Sequence, residues 1–240
     1  MVRVALVVDT AVAFSLAIAM LGLARSDGLI TLPSFDPATR RAVSPFSFYP
    51  SPIDRILSVG IIVSAATGLS WLVWQYTAQR NVWATAPGRA PRVSPAWAVG
   101  WWLVPVANLW MPLVAIRELR TRSHRGSERP PMGGFVILAA WWVVWVASSV
   151  VGLIAVVELL VSVFSRLIQN DGAFATGASF PIHEIADTLR LFALSYALRA
   201  IAAGLGFAVI GDIEQAQAKM PVGESAPGSW ILVPSRPDIA

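Results

Sequence analysis

Residues Gly134 to Val157 read GFVILAAWWVVWVASSVVGLIAVV, 24 consecutive positions without a charge. At 1.5 Å of rise per residue a helix of that length reaches about 36 Å, more than the roughly 30 Å of a bilayer's hydrocarbon core. The stretch is therefore expected to cross a membrane, with its helical pattern running on past Glu158 to Leu167 outside the bilayer. Three further runs qualify on the same ground. Val4 to Ala24 is broken only by Asp9 and ends at Arg25, and Leu189 to Gly211 carries Arg199 near its centre. Ile53 to Tyr76 is opened by Ser51-Pro52-Ile53-Asp54, which places Ser at the N-cap, Pro at the first helical position and Asp at the third.

Composition leads to the same solvent. Hydrophobic residues make up 56% of the 240 positions and charged residues only 13%, whereas a soluble domain carries about 25% charged residues. With 11 Trp and 10 Phe to cover, the chain lacks the polar surface of a water-soluble globule. The absence of cysteine excludes thiolate nucleophiles, zinc-thiolate and iron-sulfur sites, and disulfides. The net charge of +4 rests on arginines scattered between apolar runs, with Lys219 the sole lysine. That distribution suits a membrane surface and not a nucleic acid.

A fifth apolar stretch, Ala96 to Ile116, is interrupted by Pro105, Asn108 and Pro112. The prolines remove backbone donors and disfavour helix at the residues before them. Before it stand Arg80, Arg89 and Arg92; after it stand Arg117, Arg120, Arg122, Arg125 and Arg129 against Glu118 and Glu128. Both flanks read as cytoplasmic by the positive-inside rule, so the stretch is expected to enter and return. Such broken backbone is tolerated at membrane depth where protein covers it.

The resulting expectation is an all-α membrane bundle of four transmembrane helices plus a Pro-broken re-entrant or interfacial segment. It sits in the cell membrane with both termini cytoplasmic and with residues 26 to 52 and 158 to 188 outside. Residues 1 to 214 form the membrane domain, and 215 to 240, rich in Pro, Ser and Gly, form a flexible cytoplasmic tail. The competing map has five full spans and puts segment 117 to 129 outside. Gly22-Leu23-Ala24 could end a signal peptide, but the apolar region is too long for one and only Arg3 precedes it, so it reads as an uncleaved span. No internal repeat points to an inverted-repeat transporter.

The most distinctive motif is Trp97-x-x-Gly100-Trp101-Trp102-x-x-Pro105-x-x-Asn108-x-Trp110-x-Pro112, followed by Arg117-Glu118-Leu119. Indole rings favour the headgroup level, so plain anchoring is one reading; backbone carbonyls and the Asn108 amide exposed at membrane depth, as in substrate or ion sites, is the other. The motif resembles that of the domain-of-unknown-function family 4328, membrane proteins of high-GC bacteria. Tyr76-x-x-x-Arg80-Asn81 and Trp141-Trp142-x-x-Trp145 fall where that family has similar residues. The resemblance covers roughly Gly60 to Phe207 and implies an integral membrane protein, with no catalytic residue to transfer.

Arg199 is the costliest residue, since an arginine at bilayer centre costs about 3 kcal/mol on insertion scales. Asp9, about 7 Å of helix rise into the first run, is its candidate intramembrane partner; the alternative is a polar pathway for protons or an anionic substrate. His124 and His183 fall on opposite sides of the membrane, and no HExxH, GxSxG or P-loop occurs. His183-Glu184 beside Pro181 reads as a helix entry rather than a metal site, and the arginines of 117 to 129 could hold anionic lipid. Neither metal nor cofactor is implied.

These features suggest a non-catalytic accessory or scaffold subunit whose partners are the lipid bilayer and other membrane proteins. The alternative is a small transporter or channel with a polar site near Arg199 and Asn108; an enzyme comes third. The outer loop Ser26 to Ser51, with Phe35, Phe46, Phe48 and Tyr49 between prolines, supplies either a docking surface or a cover packed on residues 170 to 182, near Phe174 and Phe180.

Overall fold

The computed structural model describes residues 1–26, 29–31, 34–36, 41–43, 52–85, 91–124, 132–169 and 179–219. Within them the chain forms helices α1 (Val2–Leu23), α2 (Pro52–Thr85), α3 (Pro95–Gly100), α4 (Met111–Ser123), α5 (Met132–Gln169) and α6 (Ala186–Ala218). Four three-residue strands lie between them: β1 (Leu29–Thr31), β2 (Ser34–Asp36), β3 (Arg41–Val43) and β4 (Ser179–Pro181). Helices α1, α2, α5 and α6 are long and apolar enough to cross a membrane. The architecture is thus a membrane helical bundle.

Helix α6 is its spine, packing along both α5 and α1, while α1 packs on α2. Side-chain pairs fix the antiparallel registers. Arg3 meets Glu214 at 2.7 Å, Thr67 donates to the Ala5 carbonyl at 3.2 Å, and Thr188 donates to Glu158 at 3.4 Å. Met1 and Ala218 therefore share one end of the bundle, called the Met1 end below. At the other end, β1 runs antiparallel to β4 with Ile30 opposite Phe180, and β2 pairs with β3. The two long loops of that end are thereby joined through their backbones.

The segment between α2 and α5 does not cross. The backbone N–H groups of Arg92 and Val93 donate to the Glu118 carboxylate at 2.8 and 3.0 Å, so its beginning and its end lie side by side. Val93, Ala98 and Ala115 form a small core between the two limbs. Two 3-10 turns, Trp101–Leu103 and Ala107–Leu109, make the return, with Pro105 between them. Pro112 sits in the first turn of α4, where a missing N–H costs nothing because that donor has no helical acceptor. The segment begins and ends at one end of the bundle, as a re-entrant or interfacial segment does, and the five-span map is excluded.

Two boundaries differ from the sequence reading. Helix α2 runs nine residues past Tyr76 to Thr85, because Gln75, Gln79 and Trp83 share one face and bond the re-entrant segment. Helix α6 continues past Gln215 to Ala218, which corrects the start of the tail. Gln217 holds that extra turn by donating to the Ala78 carbonyl at 3.0 Å and to Ser123 Oγ at 3.2 Å. Residues 220–240, Ser51, Arg89, Arg125, Arg129, Phe46, Phe48, Tyr49 and Phe174 lie outside the described residues.

Candidate functional site

Asp9 and Arg199 meet as a two-pronged pair. Arg199 Nε donates to Asp9 Oδ2 and Nη2 to Oδ1, both at 3.2 Å. Planar guanidinium matches planar carboxylate in this geometry, and the charges cancel where neither would be stable alone. Burial is unequal: the Asp9 side chain is 5% exposed and that of Arg199 38%. The carboxylate is sealed between helices, while the cation faces open space.

That space is a partly open cavity of about 600 Å³ on whose walls stand residues of α1, α2, α5 and α6. It exists because α2 and α5 flank α1 and α6 without comparable backbone packing between themselves. What joins α2 to α5 is tryptophan. Trp71 of α2 stacks on Trp141 of α5 with centroids 5.0 Å apart, and Trp102 of the re-entrant segment meets Trp71 edge-on at 6.1 Å and Trp145 at 5.2 Å. These four rings line the cavity. Hydroxyls dot the apolar wall, and three of them have committed protons: Ser148 and Ser195 each donate to the other's carbonyl at 3.0 Å, and Ser149 donates to Trp145 O at 2.9 Å. Asp9 and Arg199 are the charged residues among those lining it.

Asn108 is not part of this site. Its backbone N–H donates to Val104 O at 2.8 Å, its side-chain Oδ1 is buried without a partner, and it does not line the cavity. The polar groups of the Trp-rich motif instead hold the re-entrant segment together. Gln75 Nε2 donates to Ala98 O at 3.1 Å while its Oε1 accepts from Trp102 Nε1 at 2.7 Å. Gln79 Nε2 and Trp83 Nε1 both donate to Val93 O at 2.9 Å. Trp97 stacks on Trp101 at 4.7 Å, beside Gly100; Trp110 is exposed, and Arg117 lies over the Phe135 ring. The glutamines and Trp83 carry no sequence motif of their own, but their i, i+4, i+8 spacing could have marked a shared face.

Near the Met1 end a second polar group forms around Asp212, which the sequence reading did not single out. Arg120 Nε donates to Asp212 Oδ2 at 2.6 Å, and His124 Nε2 lies 3.4 Å from Oδ1. His124 Nδ1 is 3.0 Å from the Arg120 carbonyl. Glycine at 134 leaves the room for this arginine, since a Cβ there would collide with its guanidinium. His183 belongs to the 3-10 turn Ile182–Ile185 before α6, about 40 Å of helix rise away. Among the described residues no group of three or more His, Asp or Glu could hold a metal ion.

The family model described as a domain of unknown function, DUF4328, matches residues 56–215, which takes in α2 through nearly all of α6. No curated protein and no solved structure matches the chain.

Proposed function

The chain belongs to the DUF4328 family, and on that premise we propose that it is a non-catalytic, accessory component of the cell membrane that holds an amphipathic molecule in the cavity between α2 and α5. One observation carries the reading: the cavity of about 600 Å³ falls within the range of about 300–1,000 Å³ typical of small-molecule sites, with apolar walls and few polar groups. Helices that part within the bilayer give such a molecule a sideways entry from lipid. A transport path through Arg199 and Asn108 has less support, because Asn108 lies off the cavity. An outer docking loop also has less support, since β1 is already paired with β4 of the same chain.

Ser149 lines the cavity, is exposed and bonds only within its own helix turn, so Ser149→Phe fills the space without disturbing the bundle. Native mass spectrometry of protein taken from membranes in mild detergent is expected to show one retained lipid-sized adduct on the unmodified chain and none on the variant. Equal adduct occupancy on both would reject the cavity as the binding site.

A further inference from the structure

Resting on that reading, we propose that the occupant is an uncharged amphiphile whose polar end accepts hydrogen bonds, in the manner of an ester carbonyl. The argument begins from what the walls can donate. Nε and Nη2 of Arg199 make the fork to Asp9, and Nη1 stands outside it on a side chain that faces the cavity. A guanidinium has five N–H donors and no acceptor. The hydroxyls of Thr67, Ser148, Ser149 and Ser195 spend their protons on backbone carbonyls, which leaves those of Ser64 and Tyr196 on the same walls as further donors. The cavity therefore offers a cationic N–H donor and two hydroxyl donors that an incoming acceptor would satisfy.

Charge then selects among acceptors. The Asp9–Arg199 pair is already neutral. A carboxylate or phosphate beside it would leave net negative charge in a low-dielectric interior, and a cationic head would face the exposed end of Arg199. A neutral carbonyl takes the donor and adds no charge.

The test uses the full chain in nanodiscs of unbrominated lipid, with the tryptophan floor as reporter. Three probes share one brominated sixteen-carbon chain and differ in the head: methyl ester, carboxylate and primary amine. Saturable tryptophan quenching by each is measured after subtracting the signal of Ser149→Phe. The ester is expected to bind at least about tenfold more tightly than either charged probe, and the double variant Asp9→Asn/Arg199→Leu to lose about tenfold of ester affinity, as removal of one hydrogen bond from a charged donor would do. Carboxylate binding as tight as the ester's, or ester binding indifferent to the double variant, would overturn the inference and leave the cavity reading standing. No saturable quenching by any probe would reject both.

Discussion

Arg199 and Asp9 are unequal partners, and the inequality predicts how each substitution behaves. Arg199→Gln strands a carboxylate that is 5% exposed. Breaking a fully buried pair costs about 3–5 kcal/mol; with one partner more than a third exposed, about 2–3 kcal/mol is expected. Asp9→Asn should cost less, because the long arginine stem can turn its head into the cavity. The double variant should lose little more than Arg199→Gln alone, since two members of one pair are not additive. Thermal unfolding of the four proteins in one detergent measures all three quantities, and additive losses would mean the two residues do not act as a pair. The sequence made these two legible, because each is a lone charge in an apolar run. Asp212 was not legible: it stands just past the end of such a run, where an acid facing water is ordinary, and nothing in the chain marks Arg120 and His124 as its neighbours.

At the scale of elements, the four apolar runs were readable because the bilayer demands length and hydropathy and little else. The re-entrant segment was readable from its arginine flanks. What bound it was not. Gln75 and Gln79 look like the wet end of a span, yet both are fully buried and donate to the backbone carbonyls of Ala98 and Val93 in the segment. Gln75→Leu removes two hydrogen bonds and leaves Ala98 O and Trp102 Nε1 without partners, each worth about 1–3 kcal/mol when buried. We expect a destabilisation of about 2–4 kcal/mol, with hydrogen exchange accelerated across residues 91–110 while α1 and α5 keep their protection. Uniform acceleration over the whole bundle would show instead that the segment and the helices melt as one unit.

For the whole molecule, the order α2, α1, α6, α5 explains why a cavity forms where it does. Two spine helices carry the close packing, and the outer pair is held apart by indole rings, so the gap between α2 and α5 follows from side-chain size rather than from any local motif. The same architecture fixes the relative sides of the loops but not which side faces the cell interior. Arg3, Arg80, Arg92, Arg117, Arg120 and Arg122 all belong to the Met1 end, and cytoplasmic loops carry the excess of basic residues, so we expect that end to be cytoplasmic. The chain has no cysteine, which makes the measurement direct. Ser26, exposed just beyond α1 at the strand end, and Ser94, at the N-cap of α3 toward the Met1 end, are each replaced by cysteine. In intact cells a membrane-impermeant maleimide should label Ser26→Cys and spare Ser94→Cys until the membrane is opened. The reverse pattern would invert the orientation while leaving the fold, the ion pair and the cavity as described, because none of them depends on which face meets the cytoplasm.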